Sequence, residues 1–163
     1  MSSEVAIRQA TPNDMPQVKE IIDLSFPWFS RFFARISLDS EDGKVLVAES
    51  QGAIVGFAKL IEFKVGSGKY GCILWIAVHP EHRRKGIALA LVKDSIENFQ
   101  HEGAETVFAS VRRTNKASLA TFSKMRFVQM SFLDLWRLFG FRVFSFYRDI
   151  WYAPIEIVLM HDS

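Results

Sequence analysis

The chain has 163 residues, of which 49% are hydrophobic and 23% are charged. This composition can bury a core, which excludes an intrinsically disordered protein, and the length fits one domain over residues 1–163. The formal net charge of +2 is too small to indicate a nucleic-acid-binding protein. Cys72 is the only cysteine, which excludes an internal disulfide and a cysteine zinc site, and the scattered histidines have no metal-ligand spacing.

The polar first residues predict no secretory signal. The most apolar stretch, residues 132–152, carries Asp and Arg side chains that exclude a conventional membrane span. We therefore expect a cytoplasmic protein.

Apolar periodicity predicts the elements in chain order. Thr11-Pro12-Asn13-Asp14 indicates a helix start, and the apolar stripe that follows ends at Pro27. Strands are expected at 5–9, 44–49, 53–64, 70–78, 105–111, 127–130 and 155–160, and helices at 12–26, 28–36, 87–100 and 115–125. From the residues alone, this order predicts one mixed α/β domain.

The most informative segment is the turn that follows the apolar strand 70–78. Arg83, Arg84 and Lys85 precede Gly86, and a helix-forming segment begins at Ile87. A helix start offers unpaired backbone N–H groups and the positive end of a dipole, and glycine lets the backbone approach a ligand. The alternative is a solvated basic turn. A Walker loop and a dinucleotide fingerprint are excluded, because their glycine patterns do not occur.

The pattern Arg83-x-x-Gly86-x-Ala88 matches the acyl-CoA pyrophosphate motif of the Gcn5-related N-acetyltransferases (GNAT), and residues 76–80 resemble that family's fourth strand. This resemblance covers most of the chain. It implies a single-domain acetyltransferase fold, with a central mixed, mostly antiparallel sheet of about seven strands flanked by about four helices. Residues 131–153 would then be an aromatic-rich insertion between the last two strands.

The resemblance also implies that acetyl-CoA is the cofactor. No metal is expected, because no metal-ligand spacing occurs in the sequence. Backbone groups of the fourth strand would bind the pantetheine arm and thioester, and the basic turn would bind the pyrophosphate. The corresponding residues of this chain are Ile76, Ala77 and Val78 for the strand and Arg83, Arg84, Lys85, Gly86, Ile87, Ala88 and Leu89 for the turn.

A second motif, Asn115 to Phe127, resembles the family's Asn-x-x-Ala-x-x-Leu-Tyr-x-x-x-Gly-Phe. Asn115 and Phe122 match cofactor-contacting positions, although Asn115 alone also reads as a helix N-cap. Two departures concern proton transfer. The family's tyrosine, which protonates the departing thiolate, is Phe122 here, and the glutamate that serves as base in the related ribosomal-protein alanine acetyltransferases is replaced by Ser110.

Glu62 and Tyr152 are the candidate proton-transfer residues. A carboxylate near the fourth strand could act through water, and Tyr152 matches a tyrosine pair of the alanine acetyltransferases. The alternatives are a solvated charge beside Lys64 and a packed aromatic ring. His79 and His82 flank the turn and are expected to be exposed residues.

On the acceptor side, Phe26 and Trp28 lie in a Phe-Pro-Trp segment that resembles protein α-amino acetyltransferases and would shape the acceptor groove. The alternative is a helix-ending proline with core aromatics. Residues 132–152 hold so many large apolar groups that not all can face water. They are expected to form a lid over the acceptor site or a homodimer surface, and a surface that lies on a membrane is the less favoured alternative. Gly140 would divide the segment into two helical pieces.

The leading hypothesis is an enzyme that moves an acetyl group from acetyl-CoA to a primary amine, on a peptide or a small molecule, by direct attack in a ternary complex. The alternative is an inactive acyl-CoA-binding sensor, which Phe122 and Ser110 favour. A less favoured hypothesis is a protein that binds nucleic acid through its basic turns, and the low net charge argues against it.

Overall fold

The computed structural model describes the backbone of residues 4–162 and the side chains of residues 4–161. Residues 1–3 and 163, which the predicted domain includes, lie outside the described residues. The strands are β1 Val5–Gln9, β2 Lys44–Ser50, β3 Ala53–Val65, β4 Gly68–Val78, β5 Thr106–Arg112, β6 Val128–Met130 and β7 Glu156–Asp162. The α-helices are α1 Met15–Ser25, α2 Trp28–Asp39, α3 Ile87–His101, α4 Lys116–Lys124, α5 Phe132–Phe139 and α6 Val143–Asp149.

The strands form a seven-stranded mixed sheet in the order β1-β2-β3-β4-β5-β7-β6. The pairs β1–β2, β2–β3, β5–β7 and β6–β7 are antiparallel, whereas β4 and β5 are parallel. The predicted α/β fold with a mixed, mostly antiparallel sheet is therefore confirmed. The helices α1 to α4 are those that the periodicity predicts, and α5 and α6 lie in the segment between β6 and β7.

The chain forms two compact units, and β3 and β4 contribute to both. The first unit contains the chain up to Leu60 and Trp75–Ser95. Its core combines the predicted apolar stripe of α1 with α2, β2 and β3; the buried members include Val18, Ile21, Ile22, Ala34, Val47 and Phe57. The stripe ends where Pro27 forces Phe26 into an extended conformation, with φ −112° and ψ 143°.

The second unit contains Ile61–Leu74 and the chain from Ile96 onward. Its centre is a cluster of aromatic rings from β3, β5, α5 and α6, namely Phe63, Phe108, Phe139 and Phe146. Ser131 caps α5, and Gly140, at φ +58°, separates α5 from α6 as the sequence predicts. Helix α6 thus buries Phe146 completely, while Phe144 of the same helix is 61% exposed.

The buried carboxylate of Asp14 connects β1 to the start of α1. Its two oxygens accept hydrogen bonds from the Arg8 guanidinium at 2.8 and 3.0 Å, and the Thr11 amide donates to it at 2.7 Å. These donors, Arg8 first, hold the pKa of the Asp14 carboxyl well below its usual range. The ionised carboxylate therefore stabilises the folded state.

We expect Asp14→Asn to lower the free energy of unfolding by about 2 kcal/mol at pH 7, because charge-assisted hydrogen bonds of a buried group are lost. A carboxyl with a depressed folded-state pKa contributes fully above its unfolded pKa of about 3.9 and loses that contribution as pH falls. The difference in free energy of unfolding between the wild-type protein and Asp14→Asn should therefore shrink when urea unfolding is repeated near pH 3.

Asp39 provides the control. It pairs with Lys19 at 2.8 Å but its side chain is 62% exposed, and an exposed ion pair contributes about 0–1 kcal/mol. Asp39→Asn should therefore have a smaller effect, and equal losses in the two variants would refute the role given to burial.

Candidate active site

The basic turn follows β4 within the first unit and is held by backbone and side-chain hydrogen bonds. The His79 amide donates to the Val55 carbonyl at 2.8 Å, and a single 3-10 turn spans Pro80–His82. The guanidinium of Arg83 then folds back: its Nε donates to the Val78 carbonyl at 3.0 Å and a terminal nitrogen donates to Ser25 Oγ at 3.2 Å. Arg83 thus braces the turn, a role that the sequence did not reveal.

The backbone of the turn leaves its amides open. Arg84 and Gly86 have positive φ angles of 60° and 80°. Within residues 4–162, no hydrogen bond is found from the amides of residues 83–89 to a protein acceptor, and a Cβ built on Gly86 meets nothing within 4 Å. Unpaired amides in such a turn at a helix start form a binding concavity for an anion.

The side chains of the turn carry positive charge, which is the sign that an anion requires. The side chains of Arg84 and Lys85 are exposed, and no ion pair or hydrogen bond to them is found in the described part of the chain. Two free cations beside open amides can attract a phosphate group without first breaking a protein contact.

Gly56 on β3 explains how α3 comes to start at this turn. A Cβ at Gly56 would lie 3.2 Å from the Ala77 carbonyl oxygen, from Ile87 and from Leu91. The helix therefore packs on β3 and β4 more closely than a side chain would allow. A glycine inside a predicted strand is a known sign of close backbone approach, so this position was detectable from the sequence.

The predicted strand residues lie directly before the turn. Ile76 and Ala77 are half-buried and Val78 is buried at the end of β4. The Phe26 ring packs edge-on against Trp75, with centroids 5.4 Å apart, whereas Trp28 is 78% exposed. Phe26 therefore joins the core of the first unit, and Trp28 lies on its surface; their role toward an acceptor remains a prediction.

The residues of the second predicted motif lie in the other unit. Asn115 is exposed and caps α4, because its side-chain oxygen accepts a hydrogen bond from the Ser118 amide at 3.1 Å. Phe122 is 1% exposed and packs edge-on against Phe127, with centroids 4.9 Å apart. The ring is a core residue of the second unit, and its predicted contact with the cofactor remains a prediction.

The two predicted proton-transfer residues are both engaged with protein groups. One carboxylate oxygen of Glu62 pairs with Lys69 at 2.8 Å, not with the neighbouring Lys64, and the other oxygen is buried without a hydrogen bond in the described structure. The Tyr152 ring packs against Tyr147, with centroids 4.5 Å apart, and is half-buried. The catalytic roles of Glu62 and Tyr152 remain predictions.

A carboxylate that the sequence reasoning missed lies beside Ser110. The hydroxyl of Ser110 donates to Oε2 of Glu156 at 2.7 Å, and the Ala153 amide donates to the same oxygen at 3.0 Å. Antiparallel pairing of β5 with β7 sets this contact, since Ser110 faces Val158 and Arg112 faces Glu156 in the register. The pair is separated by 46 residues in the chain.

Cys72 lies in β4 and is fully buried. Burial raises the pKa of its thiol far above the ordinary value, and the charge of Glu156 acts in the same direction. The thiol is therefore neutral at physiological pH and is a poor nucleophile.

The sheet order and the helices define an acetyltransferase fold, as solved structures show. The ribosomal-protein-S18-alanine N-acetyltransferase of Escherichia coli superimposes with a TM-score of 0.70 at 19% identity, over 98% of this chain and 94% of that chain. The PaiA N-acetyltransferase of Thermoplasma acidophilum, solved with coenzyme A, superimposes with a TM-score of 0.71 at 13% identity, over 98% of this chain and 99% of that chain.

Sequence comparison defines the family. An N-alpha-acetyltransferase of Saccharolobus solfataricus is 27% identical over 140 residues, which cover 80% of this chain and 84% of that relative. The model of the Acetyltransferase (GNAT) family matches residues 14–127, well over half of the chain. The chain therefore belongs to the GNAT acetyltransferase family, a class of acyl-CoA-dependent enzymes.

None of the helices within residues 4–162 is both long and apolar enough to cross a membrane.

Proposed function

We propose that this protein transfers an acetyl group from acetyl-CoA to a primary amine by direct attack in a ternary complex. The observation that carries the proposal is the turn of residues 83–89, with its open amides and the free space at Gly86. Family membership and the coenzyme A in the PaiA structure support the same ligand.

The turn fits the diphosphate of coenzyme A. The amides of residues 84–89 would hold the phosphate oxygens, Arg84 and Lys85 would add charge, and Arg83 would keep the turn in shape. The backbone of Ile76, Ala77 and Val78 would bind the pantetheine arm. Acetyl-CoA supplies the activated acyl group when bound.

Direct attack is favoured because the chain's cysteine cannot serve as an acyl carrier. Cys72 is fully buried, and its raised pKa keeps the thiol neutral. The incoming amine then attacks the thioester itself and must be neutral when it does so.

A peptide α-amine is the acceptor that we propose. With ordinary pKa values of about 7.8 and 10.4, roughly a tenth of an α-amine but under a thousandth of a lysine amine is neutral at pH 7. The relative from Saccharolobus solfataricus bears the name N-alpha-acetyltransferase, which supports this class. Phe26 and Trp28 would shape the acceptor groove. A cytoplasmic location and a homodimer through residues 132–152 remain predictions.

The test has two parts, acetyl-CoA binding by calorimetry and thiol release with peptides that carry a free α-amine. We expect binding, and release that is more than about 100-fold faster than with α-acetylated peptides offering lysine alone, in line with the neutral fractions. Binding without release on any amine would overturn the enzyme in favour of the acyl-CoA sensor, and absence of binding would refute both.

A further inference from the structure

Helices α5 and α6 of the second unit carry a continuous group of aromatic rings outside its core. The centroid of the Phe132 ring lies 5.9 Å from that of Trp136, 6.5 Å from that of Phe144 and 6.3 Å from that of Tyr147. The Trp136 ring in turn lies 4.8 Å from that of Phe141. These five side chains are called the outer aromatic surface below.

The outer aromatic surface is open to solvent. Phe141 is 81% exposed, and Phe132 and Phe144 are 51% and 61% exposed. On α5, Leu133 and Leu138 are also about half exposed. Contiguous apolar surface of this kind is uncommon on a monomeric protein and marks a site of interaction with a protein or a membrane. The partner must therefore accept several large apolar groups.

The exposed charges beside these rings are positive. Three exposed arginines each follow an aromatic residue of the surface directly in the chain, in the pairs Trp136-Arg137, Phe141-Arg142 and Tyr147-Arg148. No hydrogen bond to the side chain of Arg137 or Arg142 is found in the described part of the chain. The Arg148 side chain is 76% exposed and pairs with Asp149 at 2.9 Å.

The two carboxylates of the same helices are engaged within the protein. Oδ2 of Asp134 accepts hydrogen bonds from the amide and the hydroxyl of Ser131 at 2.9 and 2.6 Å, and the charge of Arg137 also acts on this carboxylate. Asp149 accepts from its neighbour Arg148, and its side chain is only 22% exposed. With three arginines against two aspartates, the segment presents an excess of positive charge beside its rings.

The surface of a bilayer that contains anionic lipid matches both properties. Phenylalanine and leucine side chains enter the acyl boundary of such a surface, tryptophan and tyrosine lie at the level of the headgroups, and arginine reaches the phosphates. A second copy related by a two-fold axis would instead place the same cationic surface against itself. The charge therefore favours lipid over the homodimer predicted for residues 132–152.

We propose that the outer aromatic surface and its three arginines dock this protein reversibly on bilayers that contain anionic phospholipid. Helices α5 and α6 have eight and seven residues, so they would lie in the plane of the interface and not across the membrane. The docking involves neither acetyl-CoA nor an acceptor, so it stands independently of the function proposed above.

Sedimentation of the full chain with lipid vesicles tests the proposal. One set of vesicles contains phosphatidylcholine alone, and the other is an equimolar mixture of phosphatidylcholine and phosphatidylglycerol. We expect at least about tenfold stronger binding to the mixed vesicles, because each arginine near an anionic surface contributes roughly a fivefold factor. Binding to the mixed vesicles should weaken as the salt concentration rises.

Two double variants separate the apolar and the charged contributions. Phe141→Ser with Phe144→Ser should weaken binding to the mixed vesicles at least about 30-fold, because two rings no longer leave water. Arg137→Gln with Arg142→Gln should weaken it about 25-fold and leave binding to phosphatidylcholine unchanged. All four side chains are exposed, so the thermal midpoints should stay at the wild-type value.

Phe32→Ser is the matched control, because Phe32 is 59% exposed on α2, where Arg31 and Arg35 both pair with Asp23. This variant should bind the mixed vesicles like the wild type. Absence of wild-type binding, or an equal loss in Phe32→Ser, would overturn the proposal. Self-association that is lost in Phe141→Ser with Phe144→Ser, without vesicle binding, would assign the surface to a second copy instead.

Discussion

Replacing Gly86 with valine should weaken acetyl-CoA binding at least 100-fold. Gly86 has φ +80°, and the space in front of it is open to 4 Å. In the proposed complex that space is filled by the diphosphate, so a branched side chain would displace phosphate oxygens from the amides of the turn. Loss of several charge-assisted hydrogen bonds accounts for a change of this size, at about 1.5–3 kcal/mol each. Calorimetric titration with acetyl-CoA measures it.

Gly103→Val separates ligand exclusion from backbone strain. Gly103 has φ +81° and also has nothing within 4 Å of a built Cβ, but it follows the end of α3. Both variants should lose similar thermal stability, about 1–2 kcal/mol for a left-handed non-glycine residue. The affinity for acetyl-CoA should fall only in the Gly86→Val variant. Retained affinity in Gly86→Val would show that the turn is not the cofactor site.

Replacing Phe146 with alanine should lower the free energy of unfolding by about 3–5 kcal/mol, the usual cost of deleting a buried phenyl ring. The ring is fully buried, with its centroid 4.7 Å from that of Phe108 and 4.9 Å from that of Phe139. It therefore fixes α6 and α5 to the strands of the second unit. Urea unfolding at pH 7 measures the loss.

Phe144→Ala supplies the comparison within the same helix. Phe144 is 61% exposed, so its truncation should change stability by no more than about 0.5 kcal/mol. Similar losses in both variants would indicate that the burial of Phe146 does not determine the stability of this segment.

The turn of residues 83–89 could be predicted because its determinants are contiguous. The apolar strand, the basic residues, Gly86 and the start of α3 follow one another in the chain, and each has a local physical meaning. The positive φ of Arg84 and the inward hydrogen bonds of Arg83 were not predictable, because a basic residue in a turn is compatible with several backbone conformations.

The aromatic segment of residues 132–152 could be predicted only in part. Its density of large apolar groups predicted that some must be buried, and Gly140 predicted the break between two helices. Apolar residues fall on most faces of both helices, so periodicity could not select the buried side. The sheet makes that choice: it buries Phe139 and Phe146 and leaves Phe141 and Phe144 exposed.

The sequence by itself determined the α/β element order, the family and the turn proposed to bind coenzyme A, since all three are written in local patterns. The tertiary structure alone decided which carboxylate accepts a hydrogen bond from the Ser110 hydroxyl. Glu156 reaches Ser110 across 46 residues because β7 returns to pair with β5 in one particular register. A shift of that register by one residue would turn Glu156 to the opposite face of the sheet.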